Sequence, residues 1–131
     1  MPVKVFPFNT KYKVCAWINA DGQCEFEGFI ADLRKRSQVD CKKVVSLITK
    51  AAKYGLSDDE ELCRLVAGVQ NEDLREFVTP GGIRVFWFYQ QQSIVICSCA
   101  YLKTKQEIAH NLAIEIKKAL SIKRQILEEE Q

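Results

Sequence analysis

DLREFVTPGGIRVFWFYQQQSIVICSCAYLKTK, residues Asp73 to Lys105, is the stretch that decides the fold of this chain. Three runs of branched and aromatic residues, at about Leu74–Val78, Ile83–Tyr89 and Ser93–Tyr101, are separated by the turn Thr79-Pro80-Gly81-Gly82 and by three glutamines. That pattern predicts consecutive antiparallel strands. The runs are apolar on both faces, so helices or a partner must cover the sheet on each side. Arg84 stands inside the second run, and an unpaired guanidinium there would cost several kcal/mol unless a partner or a ligand offsets it.

If Gln90, Gln91 and Gln92 form a three-residue loop, Tyr89 pairs with Ser93 and Arg84 lies opposite Ser98 with Ala100 beside it. Small neighbours then leave the guanidinium in a groove next to Phe86 and Phe88, a setting for phosphate contact with base stacking. The competing reading pairs Arg84 with Glu76 or another acid at the sheet rim. Lys103 and Lys105 follow the last strand, close in sequence to Tyr101 and His110. Cleavage of an RNA phosphodiester needs a base for the 2′-hydroxyl, cations for the phosphorane and an acid for the leaving 5′-oxygen. Lysines, an arginine, a tyrosine and a histidine supply those parts without a metal. Against this, a lysine pair also suits a solvated strand end, and His110 suits a helix surface.

Outward from this core, Val3-Val5 and Tyr12-Val14-Ala16-Ile18 alternate as strands do, closed by the turn Asn19-Ala20-Asp21-Gly22. Phe26, Phe29, Ile30 and Leu33 predict a short helix. Ser37 and Asp40 have capping-box spacing before a second helix, whose buried face is Cys41, Val44, Val45, Ile48, Ala51 and Ala52 and whose end is Gly55. Ser57 with Glu60, Leu62, Leu65 and Val66 predicts a further short helical piece before Gly68. Lys105 to Glu128 predicts a long helix with Ile108, Leu112, Ile116, Ala119, Leu120 and Leu127 on or near one face.

At 131 residues, with 47% hydrophobic and 27% charged residues, the chain has the composition of one soluble domain spanning 1–131, with ends 1–2 and 128–131 expected to fray. It lacks an apolar run of membrane-spanning length or a signal-peptide core, so a cytoplasmic location and no membrane partner are expected. Six cysteines, without Cys-x-x-Cys and with a single histidine, predict reduced thiols, no metal site and no cofactor. Cys97 and Cys99 are expected on one face of a strand, where a paired thiol site is conceivable. Net charge is only +2, but acids dominate from Ser57 to Glu76 and bases from Thr79 to Leu127. A positive field in the C-terminal half suits a polyanion, and solvated helix faces are the alternative. Phosphate-binding glycine loops, Gly-x-Ser-x-Gly and His-Glu-x-x-His are missing; Gly81-Gly82 reads as a turn, not a cradle.

The ordered set of Tyr12-Lys13-Val14, Phe26 to Leu33, a helix ending at Gly55, Leu-Arg-Glu-Phe, Ile-Arg-Val-Phe-Trp-Phe, Ile-Val-Ile-Cys-Ser-Cys-Ala-Tyr and Lys-Thr-Lys before a final helix resembles the RelE/HigB-like toxins, especially their phage-derived branch. The resemblance spans Lys11 to Leu127. It implies an α+β fold, a twisted antiparallel sheet with helices packed on it, and a toxin of a type II toxin–antitoxin pair that cleaves ribosome-bound mRNA without metal. The implied partners are a helix-turn-helix antitoxin, the ribosome and mRNA. The resemblance places Arg84, Lys103, Lys105 and Tyr101 at functional positions; with His110 these are the catalytic candidates, and Arg75, Lys117 and Lys118 are the RNA-binding candidates. Where the family usually has Lys-Thr-Pro after the first lysines, this chain has Gln106-Glu107-Ile108. The alternative is a non-catalytic protein-binding module, either like the related ParE topoisomerase inhibitors or a degenerate mobile-element protein.

Overall fold

The computed structural model describes residues 3–55 and 64–129. Strand β1 (Val3–Phe6) leads to β2 (Lys13–Trp17), then to helices α1 (Glu25–Arg36) and α2 (Gln38–Tyr54). A single 3₁₀ turn, Gln70–Glu72, precedes β3 (Arg75–Val78), β4 (Ile83–Gln90) and β5 (Ser93–Tyr101), and α3 (Lys105–Glu129) completes the described chain. The strands form one sheet in the order β1-β2-β5-β4-β3. The α+β class is as expected, but the sheet is mixed rather than antiparallel, because β5 enters between β4 and β2 and runs parallel to β2, pairing Lys13 with Ser93 through Ala16 with Ile96. A parallel pair requires a long crossover, which here includes α1, α2 and the β3–β4 hairpin.

Both sheet faces are covered, as the apolar strands demand. One face packs Val14, Phe77, Val85, Trp87, Ile94 and Ile96 against Leu33, Val44, Leu47 and Ile48 of α1 and α2. The other packs Leu74, Phe86, Phe88, Val95 and Cys97 against Ala119, Ile122 and Ile126 of α3. Phe77 stacks on Trp87 at 4.8 Å between centroids, and Tyr89 meets Trp87 edge-on at the same distance. The α3 contact is concentrated in its C-terminal half: no residue from Lys105 to Lys118 is buried. Leu112, Ile116, Ala119, Leu120 and Leu127 of the predicted face pack there, and the buried Ile122 and Ile126 join them although they were not on it.

Local chemistry explains the element ends. Ser37 Oγ accepts the Asp40 amide at 3.2 Å, capping α2. Thr104 Oγ1 accepts the Glu107 amide at 3.0 Å and meets its carboxylate at 3.2 Å, capping α3. α3 continues through Glu128 and Glu129, which were expected to fray. The helical piece predicted from Ser57 lies largely outside the described residues, but its last part is extended: Leu65 bridges Arg75, and the Glu76 amide donates to the Arg64 carbonyl. Edge pairing with β3 outweighs the local helical pattern there. Among the described residues, no helix is long and apolar enough to cross a membrane.

Gly55 ends α2 at φ 76°, and a Cβ there would lie 2.4 Å from the Tyr12 ring. Both the backbone region and the close approach require glycine. Gly55→Ala should therefore lose about 1–3 kcal/mol in urea denaturation. An unchanged midpoint and slope would contradict this account of the α2 end.

Candidate nucleic-acid interface

Alternation along β4 sends Ile83, Val85 and Trp87 toward α1 and α2, and Phe86 and Phe88 toward α3. Arg84 shares the parity of Phe86 and so belongs to the α3 side. There its Nη1 donates to Glu76 Oε1 at 2.8 Å, and Arg64 Nε lies 3.8 Å from the same oxygen. The side chains of Glu76 and Arg84 are only 3% and 14% exposed. Arg84 is thus held in an acid-paired pocket rather than projecting into the open groove expected beside Ala100. The diagonal register makes the pair: Val78 opposes Arg84 and Glu76 opposes Phe86, so the two charges are next neighbours on one face.

The β4–β5 register also differs from the expected one. Gln90 pairs with Ser93 across a two-residue turn, with Gln91 at φ 54°. A bulge between Phe86 and Trp87 leaves Cys97 unopposed, so Arg84 faces Ala100, and Ser98 faces Phe86. The bulge separates the two thiols expected on one face: Cys97 joins the cluster beneath α3, whereas Cys99 packs against the α1–α2 cluster. Burial pushes the Cys97 thiol up to about 12 and the Cys99 thiol well above its ordinary value, which suits inert reduced cysteines.

Tyr101 opposes Ile83 and lies on the α1–α2 side, so the sheet itself separates it from Arg84. Around its ring the structure assembles a second, open cluster. The Arg36 guanidinium carbon is 5.7 Å and the Lys103 ammonium 5.2 Å from the Tyr101 centroid. A hydrogen bond to Tyr101 is the main influence raising the Lys103 pKa, helped by Asp40 and opposed by Arg36. Lys103 is therefore an ammonium at neutral pH, suited to neutralising charge and unsuited to accepting a proton.

The two glycines of the β3–β4 turn hold this cluster in place. A Cβ on Gly82, at φ 90°, would meet the Leu102 carbonyl at 2.9 Å and Lys103 Cα at 3.0 Å; one on Gly81 would meet Asp40 Oδ1 at 2.8 Å. The Leu102 amide donates to the Gly82 carbonyl at 2.7 Å. Turn, strand end and the N-terminus of α2 are thus pressed together. Arg36, Asp40 and the positioning role of Gly81-Gly82 were missed in the sequence. Arg36 sits in the run Arg34-Lys35-Arg36, whose ordinary reading is a basic last helical turn.

The other candidates are dispersed. Lys105 opens α3 two residues beyond Lys103 and is exposed, while His110 is exposed further along that helix. Arg75 is at the other end of the sheet, donating to Asp73 Oδ1 at 3.2 Å beside the Tyr89 ring. Lys118 pairs with Glu25 at 3.3 Å, and Lys117 is exposed. Lys123 hydrogen-bonds the Glu72 carbonyl and Arg124 pairs with the Glu72 carboxylate at 3.5 Å, so part of the C-terminal positive charge is spent on fastening α3 to the acidic segment before β3. Among the described residues, no three His, Cys, Asp or Glu side chains are grouped to hold a metal ion.

Burial pushes the Glu76 carboxyl above its ordinary 4.5, and Arg84 and then Arg64 oppose that push without cancelling it. A carboxyl whose folded pKa exceeds its unfolded one favours the native state fully below about pH 4.5, and that contribution is lost as the pH rises through the native value. Relative to a Glu76→Leu/Arg84→Met double variant, wild-type stability should accordingly fall in denaturant titrations as the pH rises from about 4.5 through the raised native value. A relative rise would show that attraction outweighs desolvation. Glu76→Ala alone leaves the guanidinium without its acid and should cost about 3–5 kcal/mol at pH 7.

No family model matches the chain, no curated protein matches it, and no solved structure matches it.

Proposed function

We propose that this chain is an RNA-binding, RelE/HigB-like toxin whose phosphodiester contact is the Arg36–Tyr101–Lys103 cluster, extended by Lys105, with Arg84 serving the fold. The observation that carries the reading is the aromatic ring with two exposed cations within 5.7 and 5.2 Å of its centre. Such a group offers a stacking face for a base and positive charge for the adjoining phosphates. The N-terminus of α3, immediately after Lys103, adds its own positive partial charge, and Lys105 sits where a cation is unfavourable to the helix, which suits a residue kept for an anionic partner.

For cleavage, Arg36 and Lys103 would neutralise the phosphorane formed by attack of the 2′-hydroxyl, and the Lys103 ammonium would protonate the leaving 5′-oxygen. Asp40, the carboxylate that acts electrostatically on Lys103, is the candidate to accept the 2′-hydroxyl proton. An antitoxin would cover the same surface with acidic side chains. The enclosure of Arg84 by Glu76 favours one competing reading, a toxin-like module that binds without cutting.

Two measurements separate these readings. Binding of a single-stranded RNA oligonucleotide should weaken with salt, and Lys103→Ala or Arg36→Ala should each reduce the log–log salt slope by about 0.7. Tyr101→Ala should lose about 1–3 kcal/mol of affinity. Incubation with ribosomes and translated message, followed by mapping of 5′ ends, should give cuts that Lys103→Ala removes. Intact message with retained RNA binding would select the non-cutting module, and unchanged RNA binding in all three variants would refute the site.

A further inference from the structure

A crevice of 320 Å³ opens between β1, the residues just after it, α1 and α2, and its lining includes neither Arg36, Tyr101 nor Lys103. Its walls are Phe6, Phe8, Phe26, Ile30, Val45 and Ile48. The volume is near the lower end of the ~300–1,000 Å³ range of small-molecule sites, and the apolar lining matches theirs. The walls are firm: Phe6 and Phe26 meet edge-to-face at 5.7 Å, and the Phe8 amide donates to the Phe6 carbonyl at 2.8 Å, folding Phe8 back over the crevice. Phe26 and Ile48 belong to the buried core, so the crevice reaches the main apolar cluster rather than lying as a surface dimple.

Two charged residues also line it, and they differ in a way that selects a ligand. Glu27 is already neutralised by a salt bridge to Lys4. Arg34, one helical turn beyond Ile30 on α1, makes no ion pair among the described residues, whereas the nearby Arg36 is paired with Asp32 at 3.5 Å. An apolar pocket with one unspent guanidinium at its margin is complementary to an amphipathic monoanion. We propose that this crevice binds a medium-length acyl carboxylate, with the hydrocarbon between the phenylalanines and the carboxylate on Arg34.

The test uses the full chain, titrated separately with hexanoate, octanoate and 1-decanol and with decanoate, followed by amide and methyl NMR shifts of Phe26, Ile30 and Ile48. Affinity should rise about fourfold for each added methylene until the crevice is filled, the value that follows from ~0.8 kcal/mol per buried methylene. Arg34→Gln should weaken decanoate about tenfold while leaving decanol unchanged, because only the carboxylate uses the charge. Ala31→Trp, a change at an exposed helical position on the lining, should fill the space and abolish both interactions while circular dichroism stays native. Absence of saturable shifts, affinity independent of chain length, equal losses for decanoate and decanol in Arg34→Gln, or decanoate binding retained in Ala31→Trp would each overturn the proposal. These readouts are independent of RNA binding, so the two sites stand or fall separately.

Discussion

Alternation along β4 and β5 is the constraint on which the rest of the molecule depends. Both strands are interior and apolar on both faces, so each side chain is committed either to the α1–α2 core or to the α3 core. Arg84 falls on one side and Tyr101 on the other. A residue count that places them near each other in the chain pairing places them back to back across a sheet. No side-chain rotation reverses that, because changing faces requires a one-residue slip that would expose every buried partner.

Burial of Arg84 then has to be balanced, and Glu76 does so from the neighbouring strand, its carboxylate shared at longer range with Arg64. The pair is a device of the sheet edge, on the α3 side of β3 and β4, and both its side chains are nearly buried. Trp87 and Phe77 provide the opposite, hydrophobic solution on the other face of the same two strands. On that face the sheet end remains open to solvent around Tyr101, and the exposed cations gather there. The division is between a closed charge that stabilises one conformation and exposed charges, of which Arg36 is paired only with the exposed Asp32 at 3.5 Å.

Most elements were legible in the sequence because their signals are local. Alternating Val14 and Ala16, the Ser37 cap, the Gly55 stop and the long α3 pattern each depend on residues within a few positions. The parallel β2–β5 pairing was not legible, since nothing in either strand specifies direction. Nor was the Cys97 bulge, which changed the register at Ser98 and separated Cys97 from Cys99. The candidate site was half legible: Tyr101, Lys103 and Lys105 could be named because they adjoin one strand, while Arg36 and Asp40 come from distant elements brought in by the glycine turn. The Arg84–Glu76 pairing was visible as an alternative, and deciding for it required the hairpin register.

The most direct measurement is an NMR footprint of a short single-stranded RNA on the labelled full chain. The account predicts shift changes confined to Tyr101, Leu102, Lys103, Gly81, Gly82, Asp40 and the end of α1, with Arg84, Ala100 and Ser98 undisturbed. Changes centred on Arg84 and Glu76, with Tyr101 and Lys103 unaffected, would contradict it.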